Sequence, residues 1–311
     1  MSFYKKIFKG YFLIKEMAKI TVIGDVMLDR YYYCKNRNNP ESSAPAYISS
    51  KKNIIHKPGG AGNVAANLAS LKADFKLVSL VGKDADSKIL ENSLNELKIP
   101  YKFIYDKKRT TIVKTRALDI LDGRYHFRFD VEEKLEISEN HVEDIVKEAI
   151  NSKFIIVSDY NKGIINSRLM TELKSLNVPI LVDPKNENLK LYKDVFLVKP
   201  NSIEAKGMTG ENDDLKAAKT LTKILNSNIL LTRASEGIAY YGLNGNFFNY
   251  SSQPIGELKD VTGAGDSVIA TFAHLYNSGS KLEECVRLAN KAGGVAVCHP
   301  GCYHVKESDL I

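Results

Sequence analysis

The 311 residues hold no Cys-x-x-Cys pair, no Gly-x-x-x-x-Gly-Lys-[Ser/Thr] loop and no apolar run long enough to cross a bilayer. The four cysteines, Cys34, Cys285, Cys298 and Cys302, therefore match neither a zinc ribbon nor a dithiol redox motif. Cys298 and Cys302 stand near His299 and His304, but so irregular a spacing argues for free thiols in a reducing compartment, and a cytoplasmic location is expected. The missing phosphate loop excludes P-loop nucleotide chemistry. The apolar run at 11–14 is too short for a membrane span and no small-residue cleavage site follows it, so neither a span nor a signal peptide is expected. Also missing is a basic stripe interleaved with aromatics. The net charge of +7 is spread along the chain, which suits small anionic substrates and argues against nucleic acid. Internal repeats, linkers and low-complexity segments are absent too. Residues 1–18 read as an extension ahead of one domain at 19–311, long enough to bury a large core.

What is present is alternation. The apolar run 20–24 ends at Gly24 and reads as a buried strand, with Asp25 and Asp29 just beyond it. Residues 30–57, rich in tyrosine and broken by Pro40 and Pro45, are strand-like, as are residues 101–129; together they predict a small accessory sheet. Helices are expected from Gly59-Gly-Ala-Gly-Asn63 to about Leu71 and over 84–98, with a strand at 77–81 between them. From residue 138 onward helices alternate with strands at 154–157, 180–182, 195–198 and 229–231, followed by a hairpin at 238–250 and two helices. Such a pattern means an α/β fold with a mostly parallel sheet covered on both faces.

The stretch Asp260-Val-Thr-Gly-Ala-Gly-Asp266 carries the chemistry. Gly263, Ala264 and Gly265 leave backbone amides unshielded where a helix begins, a natural seat for an anion. Asp266 beside that seat is electrostatically awkward unless it accepts a proton, although an acid complementing the helix dipole is the plainer alternative. Gly60-Ala-Gly-Asn-Val-Ala65 fits the dinucleotide fingerprint, with Asp84 about twenty residues on, and so raises an NAD-dependent oxidoreductase as rival. The context speaks against it, because Pro58 and the accessory sheet separate this loop from the first strand. Asn201-Ser-Ile-Glu204 follows Pro200 at a strand end; it reads either as a Mg2+ and phosphate site or as a helix cap. Thr232-Arg-Ala-Ser-Glu-Gly237 is either a nucleotide-holding loop or a turn into the hairpin. Polar loops at the carboxyl ends of successive strands form the crevice where open α/β sheets bind ligands.

Gly59-Gly-Ala-Gly-Asn63, Asn201-x-x-Glu204 and Asp260-x-Thr-Gly-Ala-Gly-Asp266 together resemble the ribokinase (PfkB) family of sugar kinases. Within it, Ile23-Gly-Asp-Val-Met-Leu-Asp-Arg-Tyr31, Lys57-Pro-Gly-Gly60, Ser158-Asp-Tyr160 with Lys162-Gly163, and Val182-Asp-Pro-Lys185 resemble the heptose 7-phosphate kinases of ADP-heptose biosynthesis. The resemblance implies a ribokinase-like three-layer αβα sandwich with a β-lid built from 30–57 and 101–129. It implies Asp266 as the base, with the Gly263, Ala264 and Gly265 amides stabilising the transferring phosphoryl group. Asn201, Ser202, Ile203 and Glu204 would hold ATP and magnesium, with Glu204 toward the metal, and Thr232, Gly237 and Asn290 would line the nucleotide. Asp29, Gly60 and Asn63 would hold sugar hydroxyls, and Arg128 and Lys162 the distal phosphate. The implied reaction is ATP-dependent phosphorylation of D-glycero-β-D-manno-heptose 7-phosphate at C1, with potassium as a further cofactor and a homodimer through the lid. Another sugar or nucleoside kinase, or a sugar-sensing protein of this fold without turnover, are the alternatives. Because the chain stops at Ile311 with no unassigned nucleotidyl-transfer loop, the expected products are a sugar 1,7-bisphosphate and ADP, and no nucleotide-sugar.

Overall fold

The first strand, β1 (Ile20–Gly24), is buried throughout, which marks it as the centre of a sheet. The structure, a computed structural model, describes residues 20–252 and 255–311; the extension at 1–18 lies outside them. Following β1 are β2 (Val26–Arg37), β3 (Ala46–Ile48), β4 (Ile54–Gly60), helix α1 (Ala61–Ser70), β5 (Phe75–Gly82), α2 (Ala85–Glu96), β6 (Tyr101–Asp106), β7 (Val113–Asp119) and β8 (Tyr125–Val131). Then come α3 (Glu139–Ala149), β9 (Phe154–Ser158), α4 (Ser167–Ser175), β10 (Ile180–Asp183), β11 (Leu197–Val198), α5 (Ser202–Thr209), α6 (Asp214–Leu225) and β12 (Asn228–Thr232). The hairpin β13 (Ile238–Tyr241) and β14 (Phe247–Tyr250) leads to α7 (Ala264–Asn277), α8 (Leu282–Ala296) and α9 (Glu307–Leu310).

Nine strands form the main sheet in the order β14-β13-β12-β11-β10-β9-β1-β5-β6. It is parallel from β6 to β12 and turns antiparallel at the closing hairpin. Successive strand residues point to opposite faces. Accordingly Val22, Leu77 and Ile156 pack with Val64 and Leu68 of α1, Ile269 and Phe272 of α7 and Val286 of α8. Ile23, Val78 and Ile155 pack on the other side with Ile145 of α3, Leu169 of α4 and Leu221 of α6. The fold is the expected ribokinase-like sandwich with a helical layer on each face.

A second, five-stranded sheet runs β3-β2-β7-β8, with β4 also paired to β2. It begins earlier than expected, at Val26 rather than at 30, and it does not include 101–106. Tyr101–Asp106 instead pairs in parallel with β5 and forms the edge of the main sheet. Only Phe103 and Ile104 are buried in it, while Lys102 and Tyr105 are exposed, a mixed pattern that a short accessory strand also shows. The strand expected at 195–198 shrinks to Leu197–Val198.

Candidate active site

Helix starts separate structural from chemical positions. Side chains of Asp84, Ser138, Asn166, Asn201 and Asp213 cap α2, α3, α4, α5 and α6. By contrast α1 and α7 start on Gly60 and Gly263 with no side-chain cap, as α8 does on Lys281; the first amide of α1 donates instead to Asp25 O at 3.0 Å. Both glycines have positive φ, 58° and 78°, where a side chain is strained. A Cβ at Gly263 would also stand 2.6 Å from Asn63 Nδ2. Ala264 departs from the expected trio: its N–H donates to Val261 O at 3.3 Å, within the turn. The amides that lack an intrahelical acceptor by position are therefore those of Gly265 and Asp266.

Asp266 is 6% exposed and sits in the first turn of α7. Asn63 Nδ2, from α1, donates to Asp266 Oδ2 at 2.6 Å, and the Tyr160 hydroxyl donates to Oδ1 at 3.4 Å. Burial, and then the Asp183 carboxylate, push the Asp266 carboxyl up to about 7, against the opposing pull of the Asn63 hydrogen bond and Lys199. A carboxyl so poised, beside uncovered amides at a helix N-terminus, can take a proton at neutral pH while negative charge develops next to it.

The second sheet supplies the facing wall. Asp29 of β2 is buried and pairs with Arg116 of β7, Nη1 to Oδ1, at 2.6 Å. A Cβ at Gly59 would collide with the Asp29 carboxylate, and one at Gly60 with Asp25 O, so backbone and acid are closely fitted here. Register places Lys114 opposite Asp130 and Arg116 opposite Arg128. Lys114, Arg116, Arg128 and Asp130 thus share one face. Arg128 makes two hydrogen bonds to Asp130, at 2.9 and 2.6 Å, which hold the Asp130 carboxyl below its ordinary value. Lys162 lies on the loop after β9, with its Nζ 2.7 Å from Glu132 Oε1. Tyr160 joins this wall to the base: Lys114 and Lys185 lie 6.0 and 5.4 Å from its ring centre. The loop is pinned by Asp25, whose Oδ2 accepts from the amides of Tyr160 and Lys162 at 2.8 and 3.1 Å.

The nucleotide-side residues form a second group. Asn201 and Glu204 make a full capping box: Asn201 Oδ1 accepts from Glu204 N at 2.9 Å, and Glu204 Oε2 from Asn201 N at 3.0 Å. The other Glu204 oxygen pairs with Lys185 Nζ at 3.0 Å. Ser202 Oγ donates to Asp214 at 2.7 Å, while Ile203 points outward, 83% exposed. Thr232 bridges to Asn201 across the ends of their strands. Gly237, at φ 89°, closes the turn after β12, where a Cβ would strike Tyr250 O. Asn290 of α8 donates to Ser251 O at 2.9 Å. Among the described residues no group of three or more His, Cys, Asp or Glu could hold a metal unaided. His299 stacks on Tyr303, with ring centres 3.7 Å apart.

Sequence reasoning missed Lys114 and Arg116, and gave no role to Tyr160, Asp183 or Lys199. The period-two spacing of Lys114 and Arg116 on a lid strand was the available signal.

A family model for pfkB carbohydrate kinases matches residues 17–309. The chain belongs to that family, and it is a phosphotransferase acting on a sugar hydroxyl. Among curated proteins it is 36% identical over 290 residues to the bifunctional protein HldE of Vibrio vulnificus, covering 90% of this chain and 60% of that protein. It is 34% identical to HldE of Proteus mirabilis over 303 residues, covering 94% of this chain and 63% of that one. This chain therefore spans about three-fifths of the length of those relatives. Phosphofructokinase-2 of Escherichia coli in complex with potassium superposes with TM-score 0.79 at 19% identity, covering 94% of this chain and 97% of that one. Arabidopsis thaliana ribokinase complexed with ribose and ATP gives 0.72 at 21% identity, covering 94% and 97%. No helix among the described residues is long and apolar enough to cross a membrane.

Proposed function

We propose that this kinase transfers the γ-phosphoryl group of ATP to C1 of D-glycero-β-D-manno-heptose 7-phosphate, giving the 1,7-bisphosphate and ADP. The observation that carries it is the cationic face of the second sheet, Lys114, Arg116 and Arg128 with Lys162 beside it, one tyrosine ring away from Asp266. A sugar spanning that distance presents one end to the base and a phosphate to the cations. The resemblance of residues 23–31 to the heptose branch, and the similarity to HldE proteins over most of this chain, support that sugar.

In this reading Asp266 Oδ1 takes the proton of the C1 hydroxyl while Asn63 fixes Oδ2. The C1 oxygen forms the new bond to phosphorus as the bond to the ADP oxygen breaks. The Gly265 and Asp266 amides receive the charge of the transferring group, and the Gly263 turn fixes their direction. Asp29, held by Arg116, and the Gly60 backbone meet the sugar hydroxyls. Asn201, Glu204, Thr232, Gly237 and Asn290 flank the nucleotide. Glu204 would meet a Mg2+ ion through a water or on release of Lys185, since its two oxygens accept from Asn201 N and pair with Lys185 Nζ, and phosphate oxygens and water would complete the shell. ATP with Mg2+ supplies the phosphoryl group and neutralises its charge when bound. Potassium and a cytoplasmic location complete the reading.

A panel of sugar phosphates assayed for ADP release, with products identified by mass spectrometry, tests it. The heptose 7-phosphate should have the highest kcat/KM, and the sugar without its phosphate should fall by about tenfold or more, the worth of one charge-assisted contact. Equal turnover of the unphosphorylated sugar would reject the phosphate subsite.

The reading includes a homodimer through the second sheet. Its edge strand β8 exposes Phe127, Phe129 and Val131 at 46, 62 and 39%, an apolar edge that a second copy would cover. Sedimentation velocity should show a dimer at micromolar concentration and a monomer for Phe129→Lys; a wild-type monomer across that range rejects it.

A further inference from the structure

Lys199 has no part in the reaction as drawn, yet it is the only buried lysine among the described residues, 3% exposed. It directly follows β11, immediately before Pro200, and its backbone N–H donates to Val182 O at 2.8 Å. Its ammonium pairs with Asp183 Oδ1, at the end of the adjacent strand β10, at 3.0 Å. The same Nζ lies 3.1 Å from where a Cβ on Gly265 would stand, directly under the turn that presents Asp266. A side chain at 265 would press the ammonium aside by a few tenths of an ångström.

Burying an ammonium is costly unless opposite charge and hydrogen bonds compensate. Burial draws the Lys199 pKa down, but Asp183 and Glu204 outweigh it and leave the group raised, hence charged. A permanent cation is thus held below a base that has little water to stabilise its own charge. Other groups bear on Asp266 from each element packed around it. Asn63 of α1 and Tyr160 after β9 touch it; Asp29 of β2 and Asp183 of β10 oppose its ionisation; Lys199 after β11 favours it. The Cys302 thiol lies close enough to Asp29 and Asp266 to be pushed up to about 12 by burial and by those two acids. Two substrate phosphates would add further negative charge on the same side.

We propose that Lys199 is a positioning residue for phosphoryl transfer, the counter-charge that keeps Asp266 ionised, with Asp183 holding the ammonium in place and opposing it. The inference rests on Asp266 being the base. Lys199 and Asp183 then act on one group with opposite sign, something a merely structural ion pair would not do.

The test is the acid limb of kcat/KM measured from about pH 5.5 to 9 at saturating Mg2+ for the wild type, Lys199→Met, Lys199→Arg and Asp183→Asn. Ionisations of the sugar phosphate and of ATP are common to all four enzymes and cancel in the comparison. The wild-type limb should lie near 7. Lys199→Met should move it upward by about one pH unit, the smaller end of a single-charge effect. Lys199→Arg should leave it near the wild type, and Asp183→Asn should move it downward. Coincident limbs, or shifts of the same sign for Lys199→Met and Asp183→Asn, overturn the proposal. If Lys199→Met does not fold, the near-isosteric Asp183→Asn decides: an unmoved limb overturns the proposal. Asp266→Asn separates the two readings. If it keeps turnover, the base assignment fails; if it is inactive while the limbs coincide, only the role of Lys199 fails.

Discussion

Asp266→Asn should lower kcat on the order of 10²–10⁴-fold and leave the dissociation constant for ATP within about threefold, because an amide keeps the shape of the carboxylate but cannot take a proton. Steady-state kinetics with calorimetric titration of the nucleotide checks both halves; a variant within about threefold of the wild-type kcat would remove the base assignment. The same substitution should stabilise the protein. With a folded-state pKa near 7 against an ordinary 3.8, ionisation of this carboxyl is disfavoured in the native state by roughly a few kcal/mol. Below about pH 4 the group is protonated whether the chain is folded or not, so the variant gains nothing there. As pH rises toward 7 the unfolded chain ionises first and the native state is progressively penalised; above 7 the penalty is complete. The difference in Tm between variant and wild type should therefore grow across that window and then level off at a few degrees. Thermal unfolding at pH 4, 6 and 8 reads it, and a difference independent of pH would show that the buried charge is not strained. Loss of activity with gain of stability is the mark of a residue kept for chemistry.

How far the sequence reveals this molecule depends on whether a feature is local. The central strands are legible because strands covered on both faces read as apolar runs, as Ile20-Thr-Val-Ile-Gly24 and Phe154-Ile-Ile-Val-Ser158 do. Tyr101–Asp106 misleads because, at the edge of the main sheet, only Phe103 and Ile104 are buried, and so mixed a stretch resembles an accessory strand. Asp266, Gly263 and Asn63 can be found from glycines clustered at helix starts, a signal contained within a few residues. Arg116 cannot be found that way, since the acid that defines it, Asp29, is 87 positions away and meets it only when β2 and β7 pair. Lys199 is hidden for the same reason: beside Pro200 it looks like a surface lysine, and only the adjacency of β10 and β11 reveals its partner. The capping box at Asn201 and Glu204 shows the opposite case. The cap is contained within four residues and is legible, whereas the partner of the second Glu204 oxygen, Lys185, stands 19 positions away and is not.

Arg128→Ala and Lys162→Ala should each raise the KM for the sugar phosphate about ten- to a hundredfold while the KM for ATP stays nearly unchanged, since a charge-assisted contact to phosphate is worth roughly 1.5–3 kcal/mol. Both cations are held by carboxylates in the structure, Arg128 by Asp130 and Lys162 by Glu132. That arrangement keeps them aimed at the face shared with Lys114 and Arg116, and a doubly charged phosphate competes well with a single carboxylate for either. Arg128 is about half exposed whereas Lys162 is mostly covered. Water screens the exposed cation more strongly, so Lys162→Ala should show the larger loss and Arg128→Ala the greater sensitivity to added salt. Arg128→Lys should recover only part of the loss, because a point charge cannot reproduce the forked contact of a guanidinium. Initial-rate kinetics with each substrate varied in turn, at low and at high salt, measures all of this. Equal increases in the KM of both substrates would mean that the loop or the sheet had moved rather than that a phosphate contact had gone, and the assignment of these two residues to the distal phosphate would fall.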